Sequence, residues 1–198
     1  MTVQSLFTHS CVIAMGANLK SIYGDPSQTL VYALKRLAAL DLTISKVSRF
    51  YNTPAFPDPN DPPFVNACVE IRTSDVPQVI LSQLHDIEQE AQRRRDHRWA
   101  ARSLDLDLIS YDDYVVPSAE VYATWQGLSL VDQQRQVPDQ LILPHPRIAE
   151  RAFVLVPLMD IAPQWRHPVT GQTCAQMVKN LDKSLIDAVK PVQSDLSL

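Results

Sequence analysis

From Ser103 to Ile109 the chain reads SLDLDLI, so Leu104, Leu106 and Leu108 fall on one parity and Asp105 and Asp107 on the other. Along an extended strand successive side chains point to opposite faces, so the leucines share one face and the aspartates the other. Residues two apart on a strand lie roughly 7 Å apart along it. Two carboxylates at that spacing repel each other in isolation, yet both can ligate one Mg²⁺ or a neighbouring pair, with substrate phosphates completing the oxygen shell. A solvated polar face is the simpler explanation. Ile109 takes the next position on that face, however, which a purely solvated face does not require.

The preceding residues favour an anionic ligand. Arg93, Arg94, Arg95, Arg98 and Arg102 crowd into one short stretch that contains no lysine. The planar, permanently charged guanidinium suits bidentate phosphate contacts. A cationic helix end stabilised by the macrodipole would account for two of these charges. Five beside a pair of aspartates are better explained by a polyphosphate.

If phosphate is bound, side chains and metal must bind it, because the whole chain has four glycines and neither GxxxxGK[ST] nor GxGxxG. A net charge of −4 gives no global attraction to nucleic acid, so any anion site is local. The three cysteines are widely spaced and form no metal pattern, as expected of buried thiols in a reducing compartment. The start of the chain lacks a charged region and a small-residue cleavage site, and no apolar run approaches the roughly 20 residues needed to span a bilayer. The expectation is a cytoplasmic, monomeric protein that meets neither membrane nor nucleic acid.

The patterning predicts a strand over CVIAMGANL ending at Gly16, then a helix capped by Asp25 with Pro26 at its first position and Leu30, Ala33, Leu34 and Leu37 on its apolar stripe. LTISKVSRFYNT and FVNACVEIRT read as strands. A long helix follows from about Asp75, with Val76, Ile80, Leu84 and Ile87 as its stripe. SLDLDLISYDDYVV reads as two strands joined by a turn, residues 117–138 as a long surface loop, and LPHPRIAERAFVLVPLMDIAP as a short helix between extended segments. A last helix covers TGQTCAQMVKNL. This order predicts one α+β domain over residues 1–190, a ferredoxin-like three-layer α/β/α sandwich with a mostly antiparallel central sheet, followed by a loose tail over 191–198.

The blocks SRFYNTPAF, FVNA, Glu88 with Arg93 and Arg95, RW-x-x-R-S-LDLDLI and LPHPRIAERAFVLVPL occur in an order that resembles the 6-hydroxymethyl-7,8-dihydropterin pyrophosphokinase family of folate biosynthesis. The resemblance runs from about Val12 to Ile161. It implies transfer of the terminal diphosphate of ATP to the pterin's hydroxymethyl group, with ATP as co-substrate and two Mg²⁺ ions. By the same resemblance Asp105 and Asp107 are the metal ligands, and with Arg93 and Arg102 they form the catalytic set. Glu88, Arg93, Arg95, Arg102, His145 and Arg151 face ATP. Thr53, Pro54, Phe56, Phe64, Asn66, Trp99, Asp105 and Phe153 face the pterin.

The residue chemistry agrees in part, since a flat, hydrogen-bonding heterocycle needs an aromatic face and fixed polar groups, which Phe153 and Asn66 would supply. Each also has a structural explanation: core packing for Phe153, a loop hydrogen bond for Asn66, a proline turn for His145 and a strand end for Thr53–Pro54. The chain departs from the family pattern at Gln92 and at Ala100–Ala101, and its segment from 119 to 136 is longer than in compact members. Two other classes compete. A nucleotidyltransferase pairs its glycine turn and DxD on one hairpin, whereas Gly16 and Asp105 are far apart in this sequence. An RNA-binding ferredoxin-like module wants a basic sheet face with exposed aromatics, and the aspartates oppose that.

Overall fold

The computed structural model describes residues 8–55, 60–91 and 103–193. In chain order the elements are β1 (His9–Ala17), α1 (Pro26–Ala38), β2 (Thr43–Val47), β3 (Tyr51–Thr53), β4 (Phe64–Thr73), α2 (Pro77–Glu90) and β5 (Asp105–Tyr111). They continue with α3 (Ala119–Gln126), α4 (Leu130–Arg135), α5 (Ala152–Ile161), α6 (Cys174–Asn180), α7 (Lys183–Asp187) and β6 (Lys190–Pro191). The sheet runs β5-β1-β4-β3-β6, with β2 also paired to β4, and the pairings are antiparallel. This is the α+β, ferredoxin-like arrangement the patterning predicts.

Helix α1 begins where local chemistry directs it. The Asp25 carboxylate accepts from the Gln28 N–H, the Gln28 side chain accepts from the Asp25 N–H, and Pro26 fills the first helical position. Its buried residues Leu30, Ala33, Leu34 and Leu37 meet Ile80, Leu84 and Ile87 of α2 in one cluster. Cys11, Ile13 and Met15 of β1 and Leu104, Leu106 and Leu108 join them from the sheet side. Helix α2 starts at Pro77 rather than near Asp75, and Val76 stays exposed as the residue before the helix. At the far end of α2, Glu90 receives a bidentate contact from Arg36 and a 2.5 Å hydrogen bond from the Tyr32 hydroxyl, which fastens α2 to α1. These contacts hold the Glu90 carboxyl well below the ordinary carboxylate range, at about 2, the Arg36 hydrogen bonds contributing most.

On the opposite face Val12, Ala14, Cys68 and Ile109 pack against Val154, Leu155, Leu158 and Ile161 of α5 and Cys174 and Met177 of α6. Helices therefore cover both faces of the sheet.

Some expectations need correction: LTISKVSRFYNT divides into β2 and β3, and α7 follows the helix expected to be the last. Residues 117–138 are not a loop throughout, because they carry α3 and α4, capped by Ser118 and Ser129 side chains. Tyr122 anchors them: it is fully buried and its hydroxyl lies 2.9 Å from His167 Nε2. The second strand expected after Tyr111 is a single bridge between Val116 and Leu143. A tight turn with Asp112 at φ +45° ends β5 there, and the Asp112 carboxylate accepts from the Ser10 N–H. The tail is not loose from its first residue, since Lys190–Pro191 pairs with β3 and the Val192 N–H donates to the Phe50 carbonyl.

Candidate active site

Antiparallel register lines up the candidate residues across the sheet. Gly16 of β1 sits opposite Asn66 of β4 on one side and Asp105 of β5 on the other. One step further along β1, Ala14 sits between Cys68 and Asp107. Helix α5 covers the Ala14 and Cys68 level through Val154 and Leu155, and begins at Ala152. The next level, with Gly16, Asn66 and Asp105, lies toward the end of the same sheet face.

Thr53, Phe64 and Asn66 meet at this end of β3 and β4. Thr53 pairs with Phe64 in the ladder, and the Asn66 amide Nδ2 donates to Thr53 Oγ1 at 2.7 Å. Asn66 is buried, so its amide is fixed rather than free to swing. A Cβ placed on Gly16 would stand 2.8 Å from Asn66 Oδ1 and 3.8 Å from Phe64 Cδ1. The Asn66 carboxamide therefore occupies the space that any side chain at position 16 would need. Pro54 follows the strand and is exposed.

On the β5 side Asp105 and Asp107 are half-buried, between the buried Leu104, Leu106 and Leu108. Asp107 Oδ2 lies 3.1 Å from Arg151 Nη1, and the Arg151 guanidinium stands 5.6 Å from the centre of the Phe153 ring. His145 is held beside them, its N–H donating to the Ile109 carbonyl and its Nδ1 accepting from the Arg147 N–H at 3.1 Å. With Nδ1 used as acceptor, the neutral ring carries its proton on Nε2. Burial, reinforced by Arg151 and Arg147, pushes the His145 pKa well below the ordinary imidazole value. It is thus a neutral hydrogen-bond donor.

Glu88 is placed differently from the other expected nucleotide residues. It is buried on α2, and its Oε1 accepts from the Leu106 N–H at 2.9 Å, between the two aspartates along the strand. This bond props β5 from the side. Phe56, Arg93, Arg95, Trp99 and Arg102 lie outside the described residues.

Among the described residues no three His, Cys, Asp or Glu side chains assemble into a cation cage. Two carboxylates on an accessible sheet end nevertheless fit a hard dication that keeps waters and takes phosphate oxygens for the rest of its shell. Two participants escaped sequence reasoning. Gly16 is revealed by the approach of Asn66, and its one sequence signal is a glycine inside an apolar strand of a glycine-poor chain. Asn18 is buried just past β1, and its amide donates to the Pro62 carbonyl, tying the end of β1 to the residues before β4.

Comparison with known proteins gives concordant results. The model of the 7,8-dihydro-6-hydroxymethylpterin-pyrophosphokinase (HPPK) family matches residues 12–163. A 2-amino-4-hydroxy-6-hydroxymethyldihydropteridine pyrophosphokinase from Synechocystis is 33% identical over 183 residues, covering 92% of this chain and 82% of the relative. The protein of the same name from Bacillus subtilis is 34% identical over 160 residues, covering 80% and 81%. A crystal structure of wild-type Plasmodium falciparum HPPK-DHPS with SDX-DHP superposes with a TM-score of 0.60 at 14% identity, over 87% of this chain and 43% of that one. The chain thus spans less than half of that structural relative, and the likeness speaks to the fold alone.

Proposed function

This chain belongs to the 7,8-dihydro-6-hydroxymethylpterin-pyrophosphokinase family, and from that membership we propose that the sheet end around Gly16 is where its reaction occurs. The reaction moves the β,γ-diphosphate of ATP to the hydroxymethyl group of 6-hydroxymethyl-7,8-dihydropterin and serves folate biosynthesis. The observation that carries the placement is the rung Asn66–Gly16–Asp105, which sets a fixed amide for a heterocycle beside the carboxylate pair with no side chain between them.

In this reading the pterin lies over Gly16, with its polar edge on Asn66 and its ring against Phe153 and Phe64. Its hydroxyl oxygen attacks the β-phosphorus in line, the bond from that phosphorus to the α,β-bridging oxygen breaks, and AMP leaves while the hydroxyl proton passes to solvent. Asp105 and Asp107 would hold Mg²⁺, two ions by family resemblance, which would neutralise charge on the phosphate oxygens. His145 donates from Nε2 to a phosphate oxygen, its tautomer set by the Arg147 N–H on Nδ1. Arg151 meets the nucleotide from the start of α5, and Arg93, Arg95 and Arg102 supply the remaining cations. No side chain acts as a strong base; the work is positioning and electrostatic. Thr53 holds Asn66 in place, and Glu88 holds the strand that bears the aspartates.

We also read the protein as a cytoplasmic monomer, one catalytic domain over residues 1–190, without nucleic-acid or membrane partners. No helix among the described residues is long and apolar enough to cross a membrane.

The decisive assay incubates the protein with ATP, Mg²⁺ and the pterin and separates AMP from ADP, with Asp105→Asn as control. The expected result is pterin-dependent AMP from the native protein and none from a folded Asp105→Asn. Near-native turnover by that variant would remove Asp105 from the metal site.

A further inference from the structure

Asp107 is paired with a guanidinium. Its Oδ2 faces Arg151 Nη1 at 3.1 Å, and both side chains are sheltered, at 37% and 20% exposure. Arg151 is the residue preceding α5, yet its side chain does not cap that helix; it reaches across to β5 and lies over the Phe153 ring. A guanidinium keeps its charge at any working pH. Partial burial also screens its field less than open water would.

Building on the metal assignment above, we propose that Arg151 is the resident counter-ion of the carboxylate pair, occupying Asp107 until a nucleotide's phosphates draw it away. A dication arriving alone must displace the guanidinium or settle beside it against like-charge repulsion. A polyphosphate changes both terms at once. It offers Arg151 a better bidentate partner and supplies oxygens to complete the metal shell. Metal and nucleotide therefore enter together, and by linkage each raises the affinity for the other. A purely architectural pair predicts the opposite response to mutation, because losing it would loosen the aspartate strand and weaken metal binding.

The test uses the intact chain and Mn²⁺ without turnover, following free Mn²⁺ by electron paramagnetic resonance. Arg151→Gln should tighten Mn²⁺ binding in the absence of nucleotide by about three- to tenfold, and shrink the enhancement given by a non-hydrolysable ATP analogue. Arg151→Lys, which keeps the charge, should stay within about twofold of native, as should Arg166→Gln, which removes an exposed charge elsewhere. Unchanged or weaker Mn²⁺ binding in Arg151→Gln overturns the proposal. Asp107→Asn, titrated with the analogue present, separates the two readings. If it binds Mn²⁺ like the native chain, the metal assignment and the counter-ion role fall together. If it loses Mn²⁺ while Arg151→Gln is unchanged, the counter-ion role falls alone.

Discussion

Replacing Gly16 by alanine adds one methyl group at the centre of the proposed pterin floor. That Cβ would lie 2.8 Å from Asn66 Oδ1, so the carboxamide must retreat by about 0.6 Å to reach ordinary contact. Asn66 is 6% exposed and its amide is bound to Thr53 Oγ1 at 2.7 Å, so retreat stretches or breaks that bond. The bond contributes about 0.5–1.5 kcal/mol, and overpacking a filled site costs about 1–3 kcal/mol. Reduced freedom of the unfolded chain returns about 0.4–1 kcal/mol, leaving a net loss of about 0.5–4 kcal/mol in stability. The effect on the pterin should be larger, because the amide that reads its polar edge is displaced: about 1–3 kcal/mol, or roughly 5- to 150-fold in Kd. Calorimetric titration with the pterin in the presence of a non-hydrolysable ATP analogue measures this directly. The analogue's own affinity should move by no more than about twofold, since nucleotide residues are not displaced. An unchanged pterin Kd in a folded Gly16→Ala protein would refute the placement of the heterocycle over this rung.

Glu88→Ala removes the acceptor for the Leu106 N–H and should lower unfolding stability by about 1–3 kcal/mol in a urea titration. A native midpoint would mean that the bond does not prop β5. Tyr122→Phe deletes the hydroxyl that meets His167 and should cost about 0.5–1.5 kcal/mol, seen as a lower Tm, while AMP formation by the folded protein persists. Glu90 has its pKa depressed from 4.5 to about 2, so its contribution to stability is complete above about 4.5 and disappears as pH falls toward 2. Thermal melts of native and Glu90→Gln protein should therefore differ at pH 7 and converge near pH 2. A constant difference over that range would rule out the linkage.

Where side chains carry their own structural instruction, sequence and structure agree. Asp25, Pro26 and Gln28 start α1 through purely local bonds, and alternation about Asp105 and Asp107 announces β5 because the leucines have one core to enter. Helices α3 and α4 were not legible in the same way. They are short, without a sustained helical stripe, and α3 is seated by Tyr122 meeting His167 across 45 positions. Strand β6 is a two-residue backbone pairing, which leaves no periodicity to detect. Within the proposed site, motif order singled out Asn66 and Asp105, and the register sets them on either side of Gly16. The need for glycine at position 16 arises from a contact with Asn66 on another strand, and no local pattern encodes it. Glu88 was placed at the nucleotide by resemblance, and its bond to the Leu106 N–H on another element is a contact that no local pattern encodes.

The aspartates ride on β5, which among the described residues is the outermost strand of the sheet on its side. Such a strand directs alternate amides away from the sheet, where a passing chain can pair with them. The Glu88 carboxylate engages the Leu106 amide, and Asp105 and Asp107 add two like charges that another copy of the same strand would have to approach. The residues proposed to serve catalysis, and Glu88 behind them, thereby also keep this border from recruiting its own kind. Losing Glu88 should therefore appear first as turbidity and concentration-dependent association during refolding, before any loss of turnover in the molecules that fold.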